Sequence, residues 1–279
     1  MVDVSVVIPT FRRPALLKEA IQSVLSQARV SVEVIVIDDS PEGSARDTVL
    51  ALDDARVNYE LGTPPSGGRP ALVRNHGATR ARGRFIHFLD DDDRAAPGFY
   101  SAAVAAFDAH ASCGVVFGRI EPFADSTPAG AQSEAEAKAM AHEREFFADA
   151  GRRARLASRV SARHWMVANL LFNQTLLVNS ACMIRRECVA ALGGYDAELG
   201  MNEDVDFFCR AIRAYGFRFL DRVVLNYRIV PDSLMHGRTN NDKLVQSYRR
   251  MYALYRAKHG AAELFALKVL ARTVMRAVS

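Results

Sequence analysis

The amino-acid sequence predicts an α/β fold with an open, mostly parallel sheet flanked by helices. Two observations support this prediction. Short β-rich apolar runs alternate with segments of helical periodicity through the first half of the chain, and these runs are unbroken, as in strands buried on both faces. Strands that alternate with helices indicate βαβ units with right-handed crossovers. The 279 residues suffice for one large domain, or for a domain with an appendage.

The elements follow one another in a regular order. Apolar runs at 3–9 and 32–38 are too short for helices and are predicted as strands, while 14–27 between them has helical spacing and begins at Pro14, which a first helical turn tolerates. Further along we expect helices at 44–54, 70–82 and 97–110, strands near 56–61, 84–89, 113–120 and 180–186, and a Pro/Gly-rich loop at 62–70.

The second half of the chain suggests additions to this sheet. An Ala-rich helical stretch around 129–163 predicts an insertion, and residues 240–279 predict two helices. We therefore expect one α/β domain over 1–230, with a helical insertion at about 125–175, followed by a C-terminal helical extension over 231–279.

Composition excludes several classes of protein. A net charge of +4 gives no support for a nucleic-acid partner. The four cysteines lack CxxC spacing and lie in apolar surroundings, which favours buried thiols in a reducing compartment. There is no signal-peptide pattern and no apolar run long enough to span a bilayer. We expect a cytoplasmic protein, with attachment to the inner face of the membrane left open.

Four consecutive aspartates follow the apolar run at 84–89. Ligands of open parallel sheets bind beyond the carboxyl ends of the strands, where Asp90 to Asp93 and the pair Asp38–Asp39 both lie. Carboxylates suit Mg²⁺ or Mn²⁺, and Asp90 and Asp92 could reach one cation. The alternatives are a solvated acidic turn, or Asp92 and Asp93 capping the next helix. The turn "PTFRRPA" after the first strand has no glycine, which argues against a dinucleotide fingerprint.

A second acidic group, "NEDVDFF" at 202–208, opens a helix. Asn202 could cap this helix, and the acids of its first turn would complement the helix dipole. A carboxylate at this position is also suited to general base catalysis, if the helix begins at the same edge of the sheet.

Taken together, these segments resemble the family 2 glycosyltransferases of the GT-A fold, a Rossmann-like architecture. The resemblance rests on the following stretches, in this order: "SVVIPTFRRPALLKEAIQSVLSQ", "EVIVIDDS", "ALVRNHGATRARGRFIHFLDDDD", "ACMIRRECVAALGGYDAEL" and "NEDVDFFCRAIRAYGF". It covers about residues 3–120 and 178–230. The resemblance implies a metal-dependent hexosyltransferase that uses a nucleotide-sugar donor and inverts the anomeric centre.

The family pattern also implies roles for individual residues. The implied donor-binding residues are Pro9, Thr10, Asp39, Arg74 and Asp90. Asp90 and Asp92 match the metal-binding DxD motif, for Mn²⁺ or Mg²⁺, although a register shifted to Asp91 and Asp93 stays open. Asp204 corresponds to the catalytic base, with Glu203 and Asp206 as neighbours that contact the acceptor or orient the base. His236 is a further candidate metal ligand.

The chain departs from the family pattern in two loops. Where members often have "DDGS" and "YNR", this sequence has "DDSPEGS" and "FRR", which leaves the nucleotide open; a UDP-sugar is our expectation. Two alternatives remain: a sugar-nucleotide nucleotidyltransferase, and a catalytically silent module that binds nucleotide sugars. We expect a saccharide or lipid-linked acceptor. The basic, amphipathic segment 261–278 could contact a membrane, the domain itself or a second subunit in a homodimer.

Overall fold

A computed structural model describes residues 2–125, 134–159, 163–172, 177–229 and 241–278. Its strands are β1 (Val4–Thr10), β2 (Val32–Asp38), β3 (Val57–Leu61), β4 (Phe85–Phe88), β5 (Arg94–Ala95), β6 (Val115–Phe123), β7 (Cys182–Arg185) and β8 (Phe217–Arg228). Its helices are α1 (Pro14–Leu25), α2 (Arg46–Leu50), α3 (Pro70–Arg80), α4 (Phe99–Ala109), α5 (Glu134–Arg159), α6 (Arg163–Phe172), α7 (Arg186–Leu192), α8 (Glu203–Tyr215), α9 (Asn241–His259) and α10 (Ala261–Val278).

The strands form one sheet in the order β3-β2-β1-β4-β7-β6-β8-β5. The strands β3, β2, β1 and β4 run parallel, β7 is antiparallel to β4 and to β6, and β8 is parallel to β6. The predicted α/β class with an open, mostly parallel sheet is confirmed. The division into domains at residue 230 stays a prediction.

Helices cover both faces of the sheet, which explains the unbroken apolar strands. Along β1, Val6 belongs to the buried cluster that includes α1 and α4, while Val7 belongs to the cluster that includes α3 and α8. At α3 the contact is close: a Cβ added at Gly77 would lie 2.3 Å from Val7 Cγ1. This close approach holds α3, and with it Arg74, against the centre of the sheet.

Two strands were absent from the sequence prediction. β8 is a 12-residue strand next to the edge, and β5 is a two-residue strand that pairs with it. Many residues of β8 are only partly buried, so it lacks the continuous apolar run that marked β1, β2 and β4. These strands matter for function, because β8 ends at Arg228, beside the run of aspartates.

The C-terminal segment forms the two predicted helices. α10 packs against α6 and α9, with Leu267 and Ala271 buried in the core. Its other face remains open to solvent: the exposed fraction of Phe265 is 68%. Among the described residues, no helix combines the length and the apolar character that crossing a bilayer requires.

Candidate active site

The site is built where β1, β2 and β4 end together. Thr10 lies opposite Asp38 in the parallel register of β1 and β2, and the chain leaving β4 runs alongside Thr10. The Thr10 hydroxyl donates a hydrogen bond of 2.7 Å to Asp91 Oδ2. Thr10 and the run of aspartates after β4 therefore meet at the carboxyl edge of the sheet, the edge at which the sequence places Asp90 to Asp93.

The four aspartates divide into an inner and an outer pair. Asp91 and Asp93 are buried; Asp91 accepts the Thr10 bond, and Asp93 Oδ1 accepts a 3.0 Å bond from the backbone N–H of Arg228. The side chains of Asp90 and Asp92 retain 38% and 18% exposure. The interpretation of Asp92 and Asp93 as caps of the next helix was wrong, since α4 begins after Gly98.

Burial changes the protonation of the inner pair. Loss of solvation raises the pKa of Asp91 to about 7, opposed by the Thr10 hydrogen bond and reinforced by the charge of Asp92. Burial likewise raises the pKa of Asp93 well above its ordinary value, with further contributions from Asp90 and Asp92. The inner carboxyls are therefore held by protein contacts, while the side chains of the outer pair stay partly exposed.

Two arginines that sequence reasoning had not assigned to the site stabilise the run. Arg13, in the turn after β1, lies 2.8 Å from Asp92 Oδ2 and 3.4 Å from Asp91 Oδ1. Arg228 donates from its Nε to the backbone oxygen of Asp92 at 2.9 Å and pairs with Glu19. The turn "FRR" had been noted as a departure from the family pattern, but the role of Arg228 depends on β8, which was not predicted.

Arg74 connects the acidic run to the second acidic group. Its guanidinium is buried and bonds Asp90 Oδ1 at 2.8 Å and Glu203 Oε1 at 2.6 Å. The guanidinium also lies over the ring of Tyr195, 5.8 Å from the centroid. Its Nε is buried without a hydrogen-bond partner among the described residues. Three sequence-predicted residues that are far apart in the chain therefore form one ion-pair cluster.

The start of α8 places Asp204 next to this cluster. Asp204 is half-buried, and burial together with the charge of Glu203 raises its pKa to about 7, against the opposing effect of Arg74. Asn202 occupies the N-cap position with a φ of 59°, but its side chain makes no capping bond, so the predicted side-chain cap is wrong. A carboxyl that titrates near neutrality suits general base catalysis.

Asp206, the third predicted acid of α8, makes a separate ion pair. Its Oδ2 accepts a 2.8 Å bond from Arg210 Nε, one turn further along the helix. The same guanidinium donates hydrogen bonds to the backbone carbonyls of Leu192 and Gly194. Asp206 thus ties α8 to the turn after α7, whereas Glu203 points to Arg74.

The other implied donor-binding residues lie at the ends of β1 and β2. Pro9 is half-buried and lies opposite Ile37 in the β1–β2 register. Both carboxylate oxygens of Asp39 accept bonds of 2.6 Å from Ser66, one from its backbone N–H and one from its hydroxyl. Asp39 therefore holds the Pro/Gly-rich loop over this edge. His236 lies outside the described residues.

The outer carboxylates have the chemistry that a divalent cation needs. Beside the larger effect of burial, the negative charge of Asp90 contributes to the raised pKa of both Asp92 and Asp204. Among the described residues, no group of three or more His, Cys, Asp or Glu side chains is arranged to hold a metal by itself. Mg²⁺ is usually held by one or two carboxylates together with substrate phosphates, so the pair Asp90 and Asp92 fits a cation that arrives with a diphosphate.

Comparison with known proteins identifies the family. The family description "Glycosyl transferase family 2" matches residues 5–167, more than half of the chain. The chain belongs to this family. The match includes β1, α3 and the aspartates after β4, and the resemblance inferred from the sequence motifs is confirmed.

Several curated proteins are similar over shorter stretches. The GalNAc(5)-diNAcBac-PP-undecaprenol beta-1,3-glucosyltransferase of Campylobacter jejuni is 39% identical over 103 residues, which cover 36% of this chain and 33% of that protein. The succinoglycan biosynthesis protein ExoO of Rhizobium meliloti is 37% identical over 95 residues, 34% of this chain and 27% of that protein. The matched part thus spans a third or less of these relatives' own length.

Solved structures extend the likeness to nearly the whole chain. The structure of Staphylococcus aureus TarS 1–349 in complex with UDP-GlcNAc has a TM-score of 0.64 at 18% identity and covers 91% of this chain and 66% of that one. The mannosyltransferase PcManGT from Pyrobaculum calidifontis, in complex with GDP-Man and Mn²⁺, has a TM-score of 0.61 at 17% identity and covers 98% and 74%. These similarities show a GT-A-like fold.

Proposed function

We propose that this protein is an inverting glycosyltransferase. It moves a single sugar from a nucleoside diphosphate sugar, a UDP-sugar, to the hydroxyl of an acceptor in the synthesis of a polysaccharide, glycolipid or cell-envelope glycan. The observation that carries the proposal is the cluster in which Arg74 bridges Asp90 and Glu203 beside Asp204. In this cluster, a residue proposed to bind the donor diphosphate, Asp90, lies near a carboxyl, that of Asp204, whose pKa suits a general base.

The donor end of the site is formed by the turn after β1 and the aspartates after β4. Asp90 and Asp92 keep partly exposed side chains and would hold Mn²⁺ or Mg²⁺ against the diphosphate. The cation supplies positive charge to the leaving diphosphate. Arg74 and Arg13, which lie against these two carboxylates, add fixed positive charge on the protein side. The Mn²⁺ bound to PcManGT supports the choice of metal.

The acceptor end of the site is formed by the first turn of α8. The acceptor oxygen attacks the anomeric carbon while the bond from that carbon to the diphosphate oxygen breaks, and the hydroxyl proton passes to Asp204. One carboxylate is sufficient for this displacement with inversion, whereas retaining glycosidases need a second carboxylate as nucleophile. Glu203, held by Arg74, orients the start of α8 beside the base.

The acceptor is a saccharide or a lipid-linked saccharide. The name of the Campylobacter relative contains an undecaprenol-linked diphosphate, and that of the Rhizobium relative refers to succinoglycan. The solvent-exposed face of α10, with Phe265, Lys268 and Arg272, supports peripheral contact with a membrane that carries such a lipid. Co-sedimentation with anionic liposomes that is unchanged in Phe265→Ser would contradict this contact.

The test uses a panel of UDP-, dTDP- and GDP-sugars with and without Mn²⁺. Thermal stabilisation reports donor binding, and release of the nucleoside diphosphate reports transfer or hydrolysis. Asp92→Ala should lose metal-dependent donor binding, while Asp204→Asn should keep it and lose transfer by about 10²–10⁴-fold, the usual contribution of a general base. Asp47→Ala, an exposed aspartate of α2, is the matched control. Normal transfer by Asp204→Asn would remove Asp204 as the base.

A further inference from the structure

A pocket lies away from the proposed active site, at the junction of α6, α8 and α9. It has a volume of about 390 Å³, and five of the side chains that line it carry basic groups: His164, Arg210, Arg213, Lys258 and His259. No carboxylate is part of its lining. At a rise of about 1.5 Å per residue, the part of α8 that forms this pocket begins roughly 9 Å along the helix from Asp204.

We call this site the basic pocket. Its two arginines, Arg210 and Arg213, are held in place by neighbouring groups. Arg210 donates to Asp206 and to two backbone carbonyls, and Arg213 pairs with Glu263 of α10. A guanidinium carries more N–H donors than the three bonds that Arg210 makes, so donors remain available to a ligand. Because protein contacts already hold both side chains, an anion would bind them at little cost in conformational entropy.

The end of α9 adds the side chains of Lys258 and His259 to the pocket. Lys258 lines the pocket and forms no ion pair with an acidic side chain in the part of the chain that the structure describes, although its charge opposes the rise that burial causes in the pKa of the nearby Asp206. Its neighbour His259 has its pKa lowered by burial and by the charges of Arg213 and Lys258, against the opposing effect of Glu263. The basic pocket thus combines two ion-paired arginines with Lys258, which forms no ion pair among the described residues, and no carboxylate lines its interior.

We propose that the basic pocket binds a phosphate or diphosphate group. Guanidinium, ammonium and imidazole groups together match the several oxygens and the multiple charge of such an anion. The volume of the pocket lies within the range of about 300–1,000 Å³ that is usual for small-molecule sites. The proposal is independent of the sugar-transfer reaction. The phosphate belongs either to a soluble ester or to the headgroup of a lipid, and the experiment separates these sources.

The first measurement is a calorimetric titration of the full chain with inorganic pyrophosphate. Lys258→Glu should weaken binding by about tenfold or more, as expected for the loss of a charge-assisted contact. Arg256→Glu, an exposed arginine on the same helix that does not line the pocket, is the matched control and should change affinity by less than about twofold. In the wild type, pyrophosphate should raise the pKa of the His259 ring, followed by NMR, because a bound anion stabilises the imidazolium.

The second measurement uses phosphatidylcholine vesicles with and without phosphatidic acid. Pyrophosphate binding that depends on Lys258 supports a soluble phosphate ester. Binding only to the anionic vesicles, weakened in Lys258→Glu and retained in Arg256→Glu, supports a lipid headgroup. His259→Gln serves as a second pocket variant and should weaken whichever binding is observed. The proposal is overturned if the wild type binds neither probe, or if Lys258→Glu and Arg256→Glu weaken binding equally.

Discussion

The buried carboxyl of Asp91 should make the protein less stable as pH rises, and Asp91→Asn should remove that loss. Asp91 is 6% exposed, and its Oδ2 accepts the Thr10 hydroxyl. An asparagine has nearly the same shape, and its amide oxygen can accept the same hydrogen bond, but it carries no charge. The substitution therefore isolates the cost of an ionised carboxylate at this position.

The magnitude follows from the difference in pKa between the two states. The pKa of Asp91 rises from 3.8 to about 7 on folding, so the folded protein holds the proton more tightly than the unfolded chain does. The resulting stabilisation is complete below the unfolded pKa and disappears as pH rises through about 7. Integrated from about pH 5 to about pH 8, the free energy of unfolding falls by about 2–3 kcal/mol through this group.

Urea unfolding at these two pH values, with a chelator present, measures the effect. The wild type should lose about 2–3 kcal/mol more than Asp91→Asn over this interval. Asp47→Asn, an exposed aspartate, controls for the change in net charge and should behave as the wild type. Equal losses in the wild type and Asp91→Asn would refute the argument, since Asp91 would then have the same pKa in the folded and unfolded protein.

Three further predictions concern the proposed active site and its support. Arg74→Met should lower the free energy of unfolding by about 3–5 kcal/mol in urea, because Glu203 is left buried without its partner; a loss below about 1 kcal/mol would contradict the ion-pair cluster. Gly77→Ala should cost about 1–3 kcal/mol, since its Cβ would meet a valine methyl of β1, whereas Gly200→Ala, in open space, should cost much less. For transfer, kcat/KM should fall about tenfold per pH unit below about pH 7, as Asp204 becomes protonated; a flat profile down to about pH 5 would exclude Asp204 as the base.

The strands that bear the site could be predicted because their signal is local. β1, β2 and β4 are continuous apolar runs buried on both faces, and each was found within one or two residues of its observed bounds. β8 could not be found in the same way. Its partly exposed residues include charged side chains, and its pairing with β6 includes register shifts. Consequently Arg228, which supports two of the aspartates, was missed with it.

The residue types of the site were determined by the sequence alone, through an acidic run after an apolar strand and an acidic helix start. The roles within that set were decided only by tertiary structure. Arg74 and Glu203 are 129 residues apart, and no local pattern indicates that they meet. Likewise, four identical aspartates become an inner and an outer pair because Thr10 and Arg228 approach two of them from distant strands. Burial and hydrogen bonding, which set these pKa values, arise from contacts between distant parts of the chain.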